Sequence, residues 1–200
     1  MVATKQISHV FSTDRLVLRA VELSDGDKAF MHELLSDPVL VANTTLRPQR
    51  PPTLEAAEEF VKLLHTALVN VMVCLPAEAK DAKPTPIGYM AIFYTASGEV
   101  HRHRNAMLGL ALAEPYRGKG YGTEIIEWGI DWAFRCAGLH RLSICAFSYN
   151  TGAVKLYRRL GFVDEGVERQ SVYRNRAWHD TIFLSLLEHE WDELRQKQEA

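Results

Sequence analysis

The chain is short of cysteine, of long apolar runs and of excess charge, and each shortage removes a class of protein. Its three cysteines, Cys74, Cys136 and Cys145, are odd in number, far apart and set in apolar sequence. A disulfide framework or zinc knuckle needs close, paired cysteines, so buried reduced thiols are expected and no metal site is. A single nucleophilic cysteine is the alternative left open. No apolar run reaches the ~20 residues of a membrane-crossing helix, so no membrane partner is expected. Lys and Arg number 23 against 25 Asp and Glu, a net charge of −2. Such a balance gives no electrostatic reason to bind nucleic acid. The first residues, Met1-Val-Ala-Thr-Lys-Gln6, lack an apolar signal region, which leads to the expectation of a cytoplasmic protein.

What is there suits one domain over residues 1–200, long enough to bury a core. Arg15 to Val21 alternates as a first strand, and Ser24 caps a helix that runs to about Leu35 and stops at Asp37-Pro38. Residues 39–52, rich in Pro and Arg, read as a loop or broken helix. Thr53 caps a second helix with apolar positions Ala57, Phe60, Val61, Leu64 and Leu68 at helical spacing. Strands are predicted at 69–75, 87–94 and 106–113, with a polar loop at 77–86 and a hairpin tip at 97–104. A helix from Thr123 to Ala137 is stopped by Gly138, and a strand follows at 141–146. Asn150 or Thr151 caps a short helix to Leu160, strands follow at 162–167 and 178–186, and a polar helix closes the chain near Lys197. The order implies a mixed α/β domain with helices on both faces of a central sheet.

Between the strand at 106–113 and the next helix lies Arg117-Gly-Lys-Gly-Tyr-Gly-Thr123. Glycines let a backbone approach a phosphate, successive N–H groups point inward, and a helix N-terminus adds partial positive charge. The loop is not a Walker loop, because Lys119 is followed by Gly120 rather than by the Ser or Thr that binds magnesium. Nor does it follow the first strand of a βαβ unit, as a dinucleotide fingerprint does. The bland alternative is a glycine-rich turn with solvated Arg117 and Lys119.

Farther on stands Tyr149-Asn-Thr-Gly-Ala-Val-Lys-Leu-Tyr-Arg-Arg-Leu-Gly-Phe162. With this segment the chain resembles the GNAT superfamily of acyl-CoA-dependent N-acyltransferases. Arg117, Gly120 and Gly122 match that family's pyrophosphate loop, and Asn150, Ala153, Tyr157, Gly161 and Phe162 match its second signature. Thr13-Asp-Arg-Leu-Val-Leu-Arg19, Gly138-Leu-His-Arg-Leu142 and Trp178-His-Asp180 are similar to the RimJ/RimL branch. The resemblance covers about residues 13–191 and implies the GNAT fold, a mixed, mostly antiparallel sheet splayed at the cofactor site.

The resemblance implies acetyl-CoA as acetyl donor, with no metal. The N–H groups of Gly118, Lys119, Gly120, Tyr121, Gly122 and Thr123 would hold its pyrophosphate, helped by Arg117 and Lys119. Its pantetheine amides would pair with the strand edge Leu110-Ala111-Leu112, with Gly109 as the bulge that opens that edge and a backbone N–H as oxyanion donor. Asn150 and Ala153 would contact pantetheine, though Asn150 is also a plain helix cap. Tyr157 would protonate the departing thiolate, a phenol of pKa ~10 being close enough to a thiol of ~8.5 for transfer; a packed core tyrosine is the structural alternative.

The nucleophile is then a substrate amine attacking directly in a ternary complex. Candidate bases are Glu114, which is slightly preferred, His101, His103, His179 and Asp180; many RimJ/RimL-like proteins carry a Glu where this chain has Met107. The acceptor pocket is expected from residues 37–53, 96–104 and 170–180, whose Arg47, Arg50, Arg174 and Arg176 favour a peptide N-terminus or a carboxylate-bearing small amine over a polyamine. A monomer or homodimer is expected. The non-enzymatic alternative is a CoA-binding regulatory module on the same fold.

Overall fold

A computed structural model of the chain describes residues 10–79, 81–95 and 102–199. The first half runs β1 (Val17–Arg19), α1 (Asp25–Ser36), α2 (Pro38–Thr44), α3 (Leu54–Leu64), β2 (Val69–Leu75), β3 (Thr85–Tyr94) and β4 (Asn105–Leu112). A 3-10 turn (Glu114–Tyr116) leads to α4 (Tyr121–Asp131), which continues as one π-helical stretch (Trp132–Cys136). Then come β5 (Arg141–Phe147), α5 (Thr151–Arg159), β6 (Val163–Arg174), β7 (Ala177–Leu187) and α6 (Glu188–Glu199). The strands form one sheet in the order β1-β2-β3-β4-β5-β7-β6. Every neighbouring pair is antiparallel except β4 and β5.

The period-two strand pattern divides the core between the faces. Along β2, Val71 and Val73 face α4 and α5, while Met72 and Cys74 face α1 and α3; all four are almost fully buried. Ile125, Ile126 and Ile130 of α4 and Val154 and Tyr157 of α5 complete the first layer, and Met31, Leu34, Ala57, Val61 and Leu64 the second. The expected fold class, a mixed and mostly antiparallel sheet covered on both faces, is the one observed.

Several boundaries differ from the sequence reading, each for a local reason. Asp37 does end α1, but its carboxylate accepts from the N–H groups of Val39 and Leu40, 2.8 and 3.1 Å, so it also starts α2 with Pro38 in the first turn. Of the two readings of residues 39–52, the broken helix holds: 39–44 are helical and the rest is irregular. The helix α3 stops at Leu64, because the N–H of Leu68 donates to Ile92 O, 2.8 Å, and that backbone belongs to the sheet. Strand β1 covers only three of the seven expected residues, those that pair with β2. Helix α4 begins two residues early, with Gly120 as N-cap at φ 85°.

The segment 170–180, expected to help build the acceptor pocket, is the far half of a long hairpin. Asn175 and Arg176, at φ 50° and 63°, turn β6 into β7, both residues adopting the left-handed conformation that a two-residue hairpin turn requires. Cys136 is exposed rather than buried, while Cys74 is buried and Cys145 half-buried; all three are free thiols. Of the expected hairpin tip at 97–104, residues 97–101 lie outside the described residues.

Candidate active site

Strand β4 pairs with β3 along its whole length but with β5 only at Asn105–Met107, opposite Arg141–Ser143. Strand β5 then follows β7 as far as Phe147, so β4 and β5 part and leave a wedge open at their far ends. The carbonyl of Leu112 is turned away from β3, to Arg117 Nε, 2.8 Å, whereas Ala113 N–H bonds Ile87 O. Backbone alternation then turns the N–H and C=O of Leu108 and Leu110 toward the wedge as well. This is a sheet edge able to pair with an extended amide-bearing chain.

The register of β3 on β4 is unbroken, so Gly109 makes no bulge. The wedge is opened by the divergence of β5, and the irregularity that exists lies in β3, where Ile87 is skipped between Val73↔Gly88 and Cys74↔Pro86. The glycine that matters here is Gly88, which the sequence reading passed over. A Cβ on it would lie 2.2 Å from Ala111 O, so β3 can approach β4 this closely only without a side chain.

At the end of β4 the glycine loop has the shape its composition foretold. Gly118 and Gly120 take φ 71° and 85°, and no side chain caps the N-terminus of α4. Its first-turn N–H groups thus lack a side-chain cap, an arrangement whose donors would fit the pyrophosphate of coenzyme A. Among the described residues no cluster of three or more His, Cys, Asp and Glu is arranged to hold a metal ion.

Two braces hold the loop. Arg15 donates through Nε to Glu124 Oε2, 2.7 Å, and through Nη1 to Lys119 O, 3.1 Å, with its guanidinium over the Tyr121 ring. Thr13 Oγ1 and Arg15 N–H also donate to Glu124 Oε1. Burial alone would raise the Glu124 carboxyl, but these bonds outweigh it and hold it below its usual value. On the other side Arg117 pairs with Asp37 through Nη2. Burial pushes Asp37 up, and the N–H of Leu40, Arg117 and the N–H of Val39 more than reverse that. The charge of Arg117 is thus engaged with α2, while Lys119 lies over the Tyr116 ring, 5.8 Å to its centroid.

Helix α5 starts at Asn150, whose side chain accepts from Ala153 N–H, 3.3 Å. Two turns on, Tyr157 is 7% exposed, its ring 6.2 Å from that of Phe162. Burial, with a smaller contribution from Cys145, pushes its hydroxyl up to about 12. The phenol therefore stays protonated at neutral pH, the state a proton donor needs. Beside the start of α5 a cavity of about 440 Å³ is lined from three elements: Val39 and Asn43 of α2, Tyr149 and Asn150, and Arg174, Asn175, Ala177 and His179 of the β6–β7 hairpin. Tyr149 organises it, donating to Ala42 O, meeting the His179 ring edge-on at 4.9 Å and carrying the Arg174 guanidinium on its face at 4.6 Å.

Residues 15–163 match the family model described as an acetyltransferase (GNAT) domain. The chain belongs to the GNAT acetyltransferase family. It is similar to YdaF of Bacillus subtilis, 36% identical over 90 residues, 45% of this chain and 49% of that protein, so this match spans about half the length of that relative. Over a longer stretch it is 26% identical to the N-acetyltransferase YoaA of Bacillus subtilis, covering 89% of this chain and 96% of YoaA. Its fold is that of a spermidine N-acetyltransferase from Vibrio cholerae solved with CoA and spermine, at TM-score 0.72 and 23% identity, with 90% and 99% of the two chains covered. As a GNAT enzyme the protein is an acetyl-CoA-dependent N-acetyltransferase.

Within this GNAT domain the candidate bases separate by position. Glu114 is exposed on the 3-10 turn and lines no part of the cavity. Asp180 is a structural carboxylate, accepting from Gln170 N–H, 2.8 Å, where β6 is irregular. His103 is exposed on the far side of β4's start, next to Arg102, and His101 lies outside the described residues. Of the four described candidates, His179 alone lines the cavity. Asn43 and Tyr149, both in the cavity, were missed by the sequence reading; the signal for Tyr149 was its place immediately before Asn150. The RimJ/RimL-like motifs acquire physical roles: Thr13 and Arg15 brace the loop, and Gly138, at φ 60°, accepts from Arg104 Nε.

Proposed function

We propose that this protein is a single acetyltransferase domain, with its core over about residues 13–191, that acetylates a primary amine by direct attack in a ternary complex. The observation that carries this is the wedge between β4 and β5, with the glycine loop following β4 and the Tyr157 phenol buried on α5 within electrostatic reach of Cys145 on β5. Acetyl-CoA supplies an acetyl thioester. Residues 118–123 bind its pyrophosphate by backbone N–H groups, and the edge Leu110-Ala111-Leu112 orients the pantetheine amides, with Asn150 and Ala153 alongside. Arg117 acts through Asp37 to hold the loop, and Lys119 adds charge at its rim. Tyr157 Oη holds the proton destined for the leaving thiolate. His179, in the cavity, is the better-placed acceptor of the amine proton, with Glu114 as the alternative from outside it.

The acceptor reading is a peptide N-terminus or a small amine, in keeping with the RimJ/RimL-like motifs. A polyamine is the second reading, favoured by the spermine complex of the Vibrio cholerae structure. The expectation of a cytoplasmic monomer or homodimer stands as part of the proposal; among the described residues no helix is long and apolar enough to cross a membrane. The test is thiol release from acetyl-CoA over a panel of amines and N-terminal peptides, alongside thermal stabilisation by CoA. Stabilisation with no turnover of any amine would favour the CoA-binding regulatory module instead.

A further inference from the structure

The cavity beside α5 carries a cation and no carboxylate. Arg174 is half-buried, and among the described residues it contacts Tyr149, over the ring and at the hydroxyl. The other polar groups of the lining are Asn43, Tyr149, Asn150, Asn175 and His179, none of them acidic. The two carboxylates nearest in sequence, Glu168 and Asp180, are not in the lining, and Asp180 Oδ1 is occupied by Gln170 N–H. Arg176, the neighbouring charge, sits exposed at the hairpin turn.

With its central carbon 4.6 Å from the ring centroid and an N–H turned to the Tyr149 hydroxyl, the Arg174 guanidinium keeps an edge of further N–H donors. That edge is a planar fork matched to a carboxylate, and partial burial strengthens the pairing relative to water. The same charge repels a polycation, with no lining carboxylate to offset it. Tyr149 keeps the fork from swinging, because its own hydroxyl is tied to α2 at Ala42 O.

Resting on the acetyltransferase reading above, we propose that the acceptor is an amine bearing a carboxylate, and that Arg174 is the specificity residue that grips it. The carboxylate belongs either to a free amino acid or to an acidic residue near a peptide N-terminus; both offer the same chemistry to Arg174. The group binds the acceptor and takes no part in proton transfer, so its loss is read in KM.

The experiment uses the full chain and thiol release with matched acceptors: an amino acid against its carboxamide, a peptide with an acidic second residue against its amide counterpart, and spermidine. The acid member of one pair is expected to exceed its neutral partner by roughly tenfold to a hundredfold in kcat/KM, and the pair that responds identifies the source of the carboxylate. Arg174→Gln should bring that ratio within about threefold of unity through KM, and Arg174→Lys, which keeps charge but not the fork, should leave it intermediate. If Arg174→Gln melts early, the Lys variant carries the comparison. Preference for spermidine or for the neutral partners would overturn the proposal, as would an unchanged ratio in both variants. Thermal stabilisation by CoA without turnover of any amine would instead remove the acetyltransferase reading, and this proposal with it.

Discussion

Gly88→Ala tests whether the edge of β4 is held where the cofactor needs it. The new Cβ would lie 2.2 Å from Ala111 O, 2.7 Å from Leu112 Cδ2 and 3.1 Å from Leu112 Cα. Only the Leu112 methyl can rotate away; the other two atoms are backbone. Restoring an ordinary separation of ~3.5 Å asks β4 to retreat by more than about 1 Å. Overpacking of this kind costs about 1–3 kcal/mol, which in a chain of this size lowers Tm by about 2–12 °C. The displaced residues are those proposed to orient pantetheine, so activity should fall further than stability suggests, by about a hundredfold in kcat/KM for a shift near 1 Å. The comparison is Gly109→Ala, whose Cβ meets nothing within 4 Å and whose Tm is expected to match or exceed wild type. Melting curves with and without CoA, followed by thiol release, read both effects. If Gly88→Ala melts within a degree of wild type and turns over normally, the account of the β4 edge is wrong.

Three further outcomes are expected. CoA at a hundred times its Kd should stabilise wild type by about 2.7 kcal/mol, a rise of about 5–11 °C, and Gly120→Val, which forces a branched residue to φ 85°, should remove most of that rise; an undiminished rise would remove the loop from the cofactor site. Tyr157→Phe should slow kcat by about 10²–10⁴ with the CoA shift intact, and equal rates would end the proton-donor role. Because burial raises Tyr157 from 10.0 to about 12, its neutral form contributes stability in full below pH 10 and loses it as pH climbs toward 12; denaturant melts between those values should fall more steeply for wild type than for Tyr157→Phe.

Features governed by neighbours in the chain were readable in advance. Ser24, Thr53 and Asn150 all accept the N-terminal helix bonds their positions suggested, and Gly118 and Gly120 take the left-handed conformations that their spacing in a phosphate loop called for. What went unread depended on distant partners. The wedge exists because β4 and β5, about 35 positions apart in the chain by their pairing register, part company after three residues, and neither strand's composition encodes that. The far half of β6 was missed because Asn175-Arg176 makes its turn without glycine, and α2 was left between loop and broken helix because Asp37 serves two helices at once.

By itself the sequence determined the family, and it pointed to the loop and the tyrosine proposed to serve the cofactor, because each is a short run of residues whose backbone conformation and chemistry are set locally. Only the tertiary structure decided what those residues face. Arg117, read as charge for a phosphate, is turned to Asp37, 80 positions away, and Arg15 reaches Glu124 across 109. Tyr149, Arg174 and His179 become one cavity wall only when the β6–β7 hairpin folds against α2 and the start of α5. The proposed acceptor is read from that wall, since burial and the company of other charges set what a guanidinium will bind, and both are created by folding.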